Sequence, residues 1–172
     1  MRIKTKLLIE TPLADLYNGT LNNFDTPRRE LSGRVRVVKK VFLPAIENGM
    51  LEVRATTSSL ATKYTTRIQF ENVEFSDEDG QNVVSFKASD GQDYHIEPVG
   101  YNNDDVKVSC SCLDFYYRFS VWNYSDGSLL GDAPDPYIKK TDSEPQNPNE
   151  VPGLCKHLIA LTDELRRENI LR

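Results

Sequence analysis

Val106-Lys107-Val108-Ser109-Cys110-Ser111-Cys112 and Gly153-Leu154-Cys155-Lys156-His157-Leu158 are the two stretches that organise this chain. In the first, Val106, Val108, Cys110 and Cys112 recur at period two, the signature of a strand with one buried face. In the second, Leu154, Leu158, Leu161 and Leu165 recur at spacings of four, three and four, which is one stripe of an α-helix. The spacing predicts a helix over Leu154–Leu171, with Ile170 and Leu171 continuing the stripe loosely. All three cysteines and one of the two histidines fall in these two stretches, and 42 residues lie between Cys112 and Cys155.

Working outward, the segments before Cys110 are rich in Val, Ile, Tyr, Phe and Thr. Val35–Leu43 and Leu51–Thr57 read as strands, and Tyr64, Thr66, Ile68 and Phe70 share one face of another. Asp79-Gly80, Asp90-Gly91 and Asp126-Gly127 supply the positive φ of tight hairpin turns and divide 63–75, 82–87, 93–99 and the aromatic run 115–124. The expected fold class is α+β, a mainly antiparallel sheet in a meander with a C-terminal amphipathic helix. Ser125–Pro152 holds five of the nine prolines and reads as a loop whose two ends must be pinned. The expected organisation is a strand-rich part at 1–105 and a second module at 106–172 carrying the insert 125–152, the two packed as one unit.

The pairs C-x-C and C-x-H have a chemical meaning. Alternate strand residues point to one face, so the sulfurs of Cys110 and Cys112 are expected to converge. On a helix, residues two apart point to nearly opposite sides. Cys155 is therefore expected in a non-helical lead-in, with His157 in the first turn. Three thiolates and one imidazole match a closed tetrahedral zinc site. A helix N-terminus favours a thiolate at Cys155, and Lys156 adds a nearby cation. The competing reading makes Cys110 and Cys112 small core residues and His157 a surface residue. A Cys110–Cys112 disulfide fits less well, because alternate strand residues stand roughly 6.5–7 Å apart.

Cys110-Ser111-Cys112-Leu113-Asp114-Phe115 and Leu154-Cys155-Lys156-His157-Leu158 together resemble the SWIM-type zinc finger over 110–171. That resemblance implies structural Zn²⁺ on Cys110, Cys112, Cys155 and His157. It also implies a role in DNA binding or protein–protein contact rather than catalysis. The insert between the pairs is longer than is usual in that family. The chain as a whole resembles small structural proteins of tailed bacteriophages. This implies synthesis in the cytoplasm and assembly into a virion.

Composition excludes several alternatives. The 172 residues carry 21 Lys+Arg against 26 Asp+Glu, net −5, so the chain is not a globally basic nucleic-acid binder. No apolar run approaches the roughly 20 residues of a membrane span, so no membrane partner is expected. The apolar stretch Leu7–Ile9 ends at Glu10, too short for a secretion signal, and three cysteines leave one over in any disulfide scheme. A reducing compartment is expected. Asn18-Gly19-Thr20 and Asn123-Tyr124-Ser125 match the glycosylation pattern by chance on that reading. Asp77-Glu78-Asp79-Gly80 lacks the ligand period of a calcium loop, no glycine-rich phosphate loop is present, and His95 is a lone histidine on a strand. No catalytic constellation remains, so an enzyme is not expected.

Charge and aromatics are clustered. Arg28, Arg29, Arg34, Arg36, Lys39 and Lys40 face Glu30 alone, whereas Glu71, Glu74, Asp77, Glu78 and Asp79 stand without a base among them. Opposed patches suit pairing with protein partners or self-assembly; the basic run, through Arg34, Arg36, Lys39 and Lys40, suits nucleic-acid phosphates. Phe115, Tyr116, Tyr117, Phe119, Trp122 and Tyr124 read as a strand buried on both sides, or as a stacking platform for single-stranded nucleic acid. The expected function is a non-enzymatic, zinc-stabilised assembly protein. The alternative is a nucleic-acid-binding module.

Overall fold

Alternation of small apolar and polar side chains along 51–57, 66–70 and 106–110 gives one buried face to each of three neighbouring strands. The computed structural model describes residues 11–24, 32–102, 104–136 and 138–172. Among them are four α-helices and seven strands in two antiparallel sheets, an α+β architecture. The larger sheet comprises β1 (Val35–Ala45), β2 (Met50–Ser59), β3 (Thr62–Phe70) and β7 (Val106–Cys110), in the order β1-β2-β3-β7. The smaller comprises β4 (Phe75–Ser76), β5 (Val84–Lys87) and β6 (Asp93–Ile96), in the order β4-β6-β5. The single meander expected from sequence is thus interrupted after β3. The chain builds the smaller sheet and then returns β7 to the free edge of β3.

Four helices complete the described chain: α1 (Leu13–Asn23), α2 (Leu113–Arg118), α3 (Ser120–Asp126) and α4 (Lys156–Arg167). Helix α4 lies across the larger sheet and contacts all four of its strands. Its buried stripe, Leu158, Ile159, Leu161 and Leu165, meets Leu51, Val53, Ile68 and Val108 in one core. Burying one such leucine stabilises by about 1.5–3 kcal/mol, so this layer holds the helix on the sheet. The helix is shorter than its apolar stripe. Leu154 precedes it; Ile170 and Leu171 follow it through a turn in which their amides donate to the Leu165 carbonyl, and Val99 then exchanges backbone hydrogen bonds with Ile170 and Arg172. All three are buried in the same core as the helix stripe.

The aromatic run is helical, which corrects the strand expectation. Cys112 accepts the Phe115 amide at 3.3 Å and starts α2. Phe115, Phe119 and Asn123 then recur every fourth residue on the buried side, while Tyr116, Tyr117 and Tyr124 are exposed. Aromatic β-propensity misleads here because the run also has helical period, and packing decides between the two. Asp126-Gly127 is likewise not a hairpin. Gly127, at φ 83°, ends α3 in the left-handed conformation, its N–H bonded to the Asn123 and Tyr124 carbonyls. Asp79-Gly80 does not join paired strands, since β4 pairs with β6 and not β5. Asp90-Gly91 does turn the β5–β6 hairpin, with Gly91 at φ 81°.

Helix α1 is absent from the sequence reading, although Leu13, Leu16, Tyr17 and Thr20 are buried at helical spacing. Arg28 and Arg29 of the basic run, and the 1–10 stretch weighed as a secretion signal, lie outside the described residues. Among those described, no helix is long and apolar enough to cross a membrane.

Phe119→Ala is expected to cost about 3–5 kcal/mol of unfolding free energy in urea titration, and Tyr117→Ala within about 0.5 kcal/mol. A strand with both faces covered would show comparable losses at the two positions.

Candidate metal centre

Cys110 ends β7, and its inward position follows from the alternation that buries Val106 and Val108. Cys112 departs from the expectation: it is not on the strand. The chain turns at Ser111, whose N–H donates to the Thr65 carbonyl and whose Oγ accepts the Thr65 amide at 2.9 Å. That turn delivers Cys112 as the residue capping α2. The two sulfurs therefore converge through a strand end and a helix start rather than through the pleat.

The second pair behaves as its spacing requires. Cys155 is extended (φ −73°, ψ 168°) and caps α4, and His157 lies in the first turn. Its lead-in is rigidly held. The Asn123 amide receives the Gly153 N–H at 2.9 Å and donates to the Gly153 carbonyl at 3.1 Å. Thr20 Oγ1 accepts the Leu154 amide at 2.8 Å and donates to the Leu16 carbonyl at 2.7 Å. Asn123, Thr20 and Leu154 are fully buried. A Cβ on Gly153 would come within 2.7 Å of the Phe119 ring and would also meet Thr20 Oγ1, so only glycine fits against this aromatic. Asn123 and Thr20 position the site and were missed from sequence. The only signal for Asn123 was its glycosylation-like context, which its burial makes inert.

The four side chains meet. The Cys110, Cys112 and Cys155 sulfurs and a His157 ring nitrogen all lie within 4.8 Å of one another. Cys110 Sγ is 3.8 Å and Cys155 Sγ 3.9 Å from His157 Nδ1. A tetrahedral zinc ion with ordinary bond lengths places sulfur and nitrogen about 3.6 Å apart, so the cluster has the right size. The ring of Tyr64 lies against His157 in a tilted contact, with centroids 4.4 Å apart. Four buried donors of this type can hold a metal ion, and their chemistry is consistent with zinc.

Electrostatics agree with that donor set. Hydrogen bonds from the Cys110 and Cys155 thiols hold the Cys112 thiol well below its ordinary range, against the cost of burial, with His157 and the Phe115 N–H helping. The Cys110 thiol is pushed up, chiefly by the bond it donates to Cys112. The Cys155 thiol is pushed up, chiefly by burial. Alone, burial and the closeness of the three sulfurs oppose charge on all of them at once. A divalent cation removes that limit and lets all three act as thiolates. The N-terminus of the 12-residue helix α4 adds positive partial charge at Cys155.

Other candidates are dispersed. His95 is on β6, its Nδ1 2.7 Å from Ser85 Oγ at the surface of the smaller sheet. Lys40 faces α4, with Nζ 3.0 Å from Glu164 and 2.7 Å from Glu168. Burial alone would lower its pKa, but these hydrogen bonds overcome it and hold the ammonium above its ordinary range. Arg34, Arg36 and Lys39 are exposed. The six aromatics form no continuous platform, since Phe115 and Phe119 are buried. Comparison with protein families, curated proteins and solved structures finds no match.

Asn123→Ala strips two buried backbone groups of their partner and is expected to cost about 2–4 kcal/mol of stability. Gly153→Ala is expected to destabilise as well. If the lead-in positions the ligands, calorimetric metal titration will show weaker binding in both variants, measured under conditions where they remain folded.

Proposed function

We propose that Cys110, Cys112, Cys155 and His157 bind a structural zinc ion, and that this chain is a non-enzymatic, zinc-stabilised assembly protein acting through protein–protein contacts. The observation that carries the metal reading is the meeting of four buried donors from two stretches of chain far apart in sequence. Four protein ligands fill a tetrahedral shell and leave no position for a substrate or an activated water. The ion's contribution is to bind all three thiolates and the imidazole at once.

The energetics favour a staple. Closing the 42-residue segment between Cys112 and Cys155 costs about 3 kcal/mol, whereas structural zinc supplies roughly 10–16 kcal/mol in small peptides. The closed segment is itself anchored at both ends. Val108 exchanges backbone bonds with Ser128 and Leu130. Asn147, buried, donates to the Arg118 and Val151 carbonyls. The SWIM-type resemblance supports the ligand set, and the likeness to tailed-phage structural proteins gives the most specific form of the assembly reading, a virion component. The nucleic-acid alternative has less support, because Lys40 is already ion-paired and the aromatics are divided between core and surface.

The chain purified without chelator is expected to carry one zinc per molecule by mass spectrometry under native conditions and by elemental analysis. Cys155→Ser and a strong chelator are each expected to lower the melting temperature and release α4 and the Pro-rich segment to fast amide exchange. Affinity should fall as pH falls, since protons compete for the thiolates and the imidazole. Absence of metal together with unchanged melting in the variant would overturn the staple.

A further inference from the structure

The register of the larger sheet separates its charges by end. Arg36 pairs with Ser58, Ser58 with Lys63, and Lys39 with Thr56. These cations and Arg34 therefore gather where β1 begins and the β2–β3 hairpin turns. All four are exposed, and none has an ion-pair partner among the described residues. Asp163 and Glu164 line a groove with Arg36, but Glu164 already holds Lys40 and Arg167, and Asp163 accepts the Tyr17 hydroxyl.

The opposite end is acidic. Glu47 lies in the β1–β2 connection. Val73 donates to the Gly49 carbonyl at 2.7 Å and ties the following segment, Glu74 to Asp79, to that connection. Glu74, Asp77, Glu78 and Asp79 are exposed and have no cation partner among the described residues. Between the two ends the charges are already engaged in ion pairs. Glu52 receives Arg67 at 2.7 Å and Arg54 at 3.0 Å, and Lys107 lies 3.7 Å from Glu71.

The 10-residue strand β2 spans the distance between the ends, about 30 Å at the usual rise. That is several times the screening length of about 8 Å at physiological salt, so the ends do not neutralise each other within one molecule. An uncharged feature stands among the cations. Leu60, at the hairpin tip, is 97% exposed and takes φ 58°, an unusual conformation for a bulky residue. Ser85, 3.3 Å from Asp79, lines an open cleft of about 560 Å³ in which Val83, Val84, Pro98 and Leu171 stand among six polar or charged residues.

We propose that this chain binds a second copy of itself, the acidic end of one sheet (Glu74, Asp77, Glu78, Asp79) seating on the cationic end of the next (Arg34, Arg36, Lys39, Lys63). This rests on the assembly reading above and names its partner. Leu60 supplies the apolar contact, for which the cleft beside the acidic segment offers a seat. The complement to the cations is present on the chain itself. A polyphosphate partner is less favoured, because the chain is net −5 and the outward side chains of these strands include no ring on which a base could stack.

The test uses the full chain, metal-loaded, in sedimentation and light scattering across concentration and salt. Mass is expected to rise with concentration at low salt and to return to the monomer near about 1 M salt, where screening is about 3 Å. Arg36→Glu with Lys63→Glu, or Asp77→Lys with Glu78→Lys, should each raise the dissociation constant at least about tenfold, as should Leu60→Ser. Mixing the two charge-reversed variants should restore association. All these positions are exposed, so circular dichroism and zinc content should match wild type. A monomer at every concentration in low salt, or association indifferent to the reversals, overturns the proposal. So does a monomer that binds a DNA duplex in fluorescence anisotropy and loses that binding on Lys63→Glu, which would assign the cationic end to phosphates. Zinc content separates the two readings: association without bound metal removes the staple alone, and a zinc-loaded monomer removes this contact alone.

Discussion

Four soft donors brought together inside the protein set the terms for the rest of this fold. Cys110 arrives on a strand, Cys112 and Cys155 each at the start of a helix, and His157 one turn into α4. Three buried thiols side by side can pack as small apolar residues, but bringing all three sulfurs to negative charge at once needs a cation. Joined to one cation they become a cross-link between the sheet and the helix that lies across it. The same arrangement accounts for the tolerance of a long Pro-rich segment, whose ends return to β7 and to α4.

The cluster is supported from below by uncharged hydrogen bonding. Asn123 comes from α3 and Thr20 from α1; Asn123 holds Gly153 and Thr20 holds Leu154, the two residues ahead of Cys155. Gly153 is where helix, aromatic ring and lead-in come too close for any side chain. The donor geometry is thus set by packing of three helices as much as by the ligands themselves.

Charge is arranged differently. The ion pairs of Glu52, Lys40 and Glu71 match charges in the middle of the sheet or between sheet and helix, and each is partly exposed, so their contribution to stability is modest. What they leave, among the described residues, is cations without ion-pair partners at one end of the sheet and carboxylates without them at the other. Exposed charges of this kind contribute little to the stability of the fold.

Periodicity and ligand chemistry were legible along the chain. Alternation marked β2, β3 and β7, a leucine stripe marked α4, and the C-x-C and C-x-H spacings identified the four donors and required Cys155 to precede the helix. Those features are local, since each follows from which way successive side chains point. The reading failed where two local periods coexisted or where a residue's role lay across the fold. The aromatic run became helical because Phe115 and Phe119 had a core to enter, and α1 passed unnoticed despite its spacing. Cys112 left the strand because Ser111 bonds to β3. Asn123, Thr20 and Gly153 acquired meaning only when α1, α3 and the lead-in were packed together. The opposed ends of the sheet depend on strand register, which pairs Arg36 with Ser58 and Ser58 with Lys63. Sequence alone therefore determined which side chains face inward and which donors belong to one site. Tertiary structure decided how they are held, because hydrogen bonds and steric fit between distant segments exist only after the chain has folded.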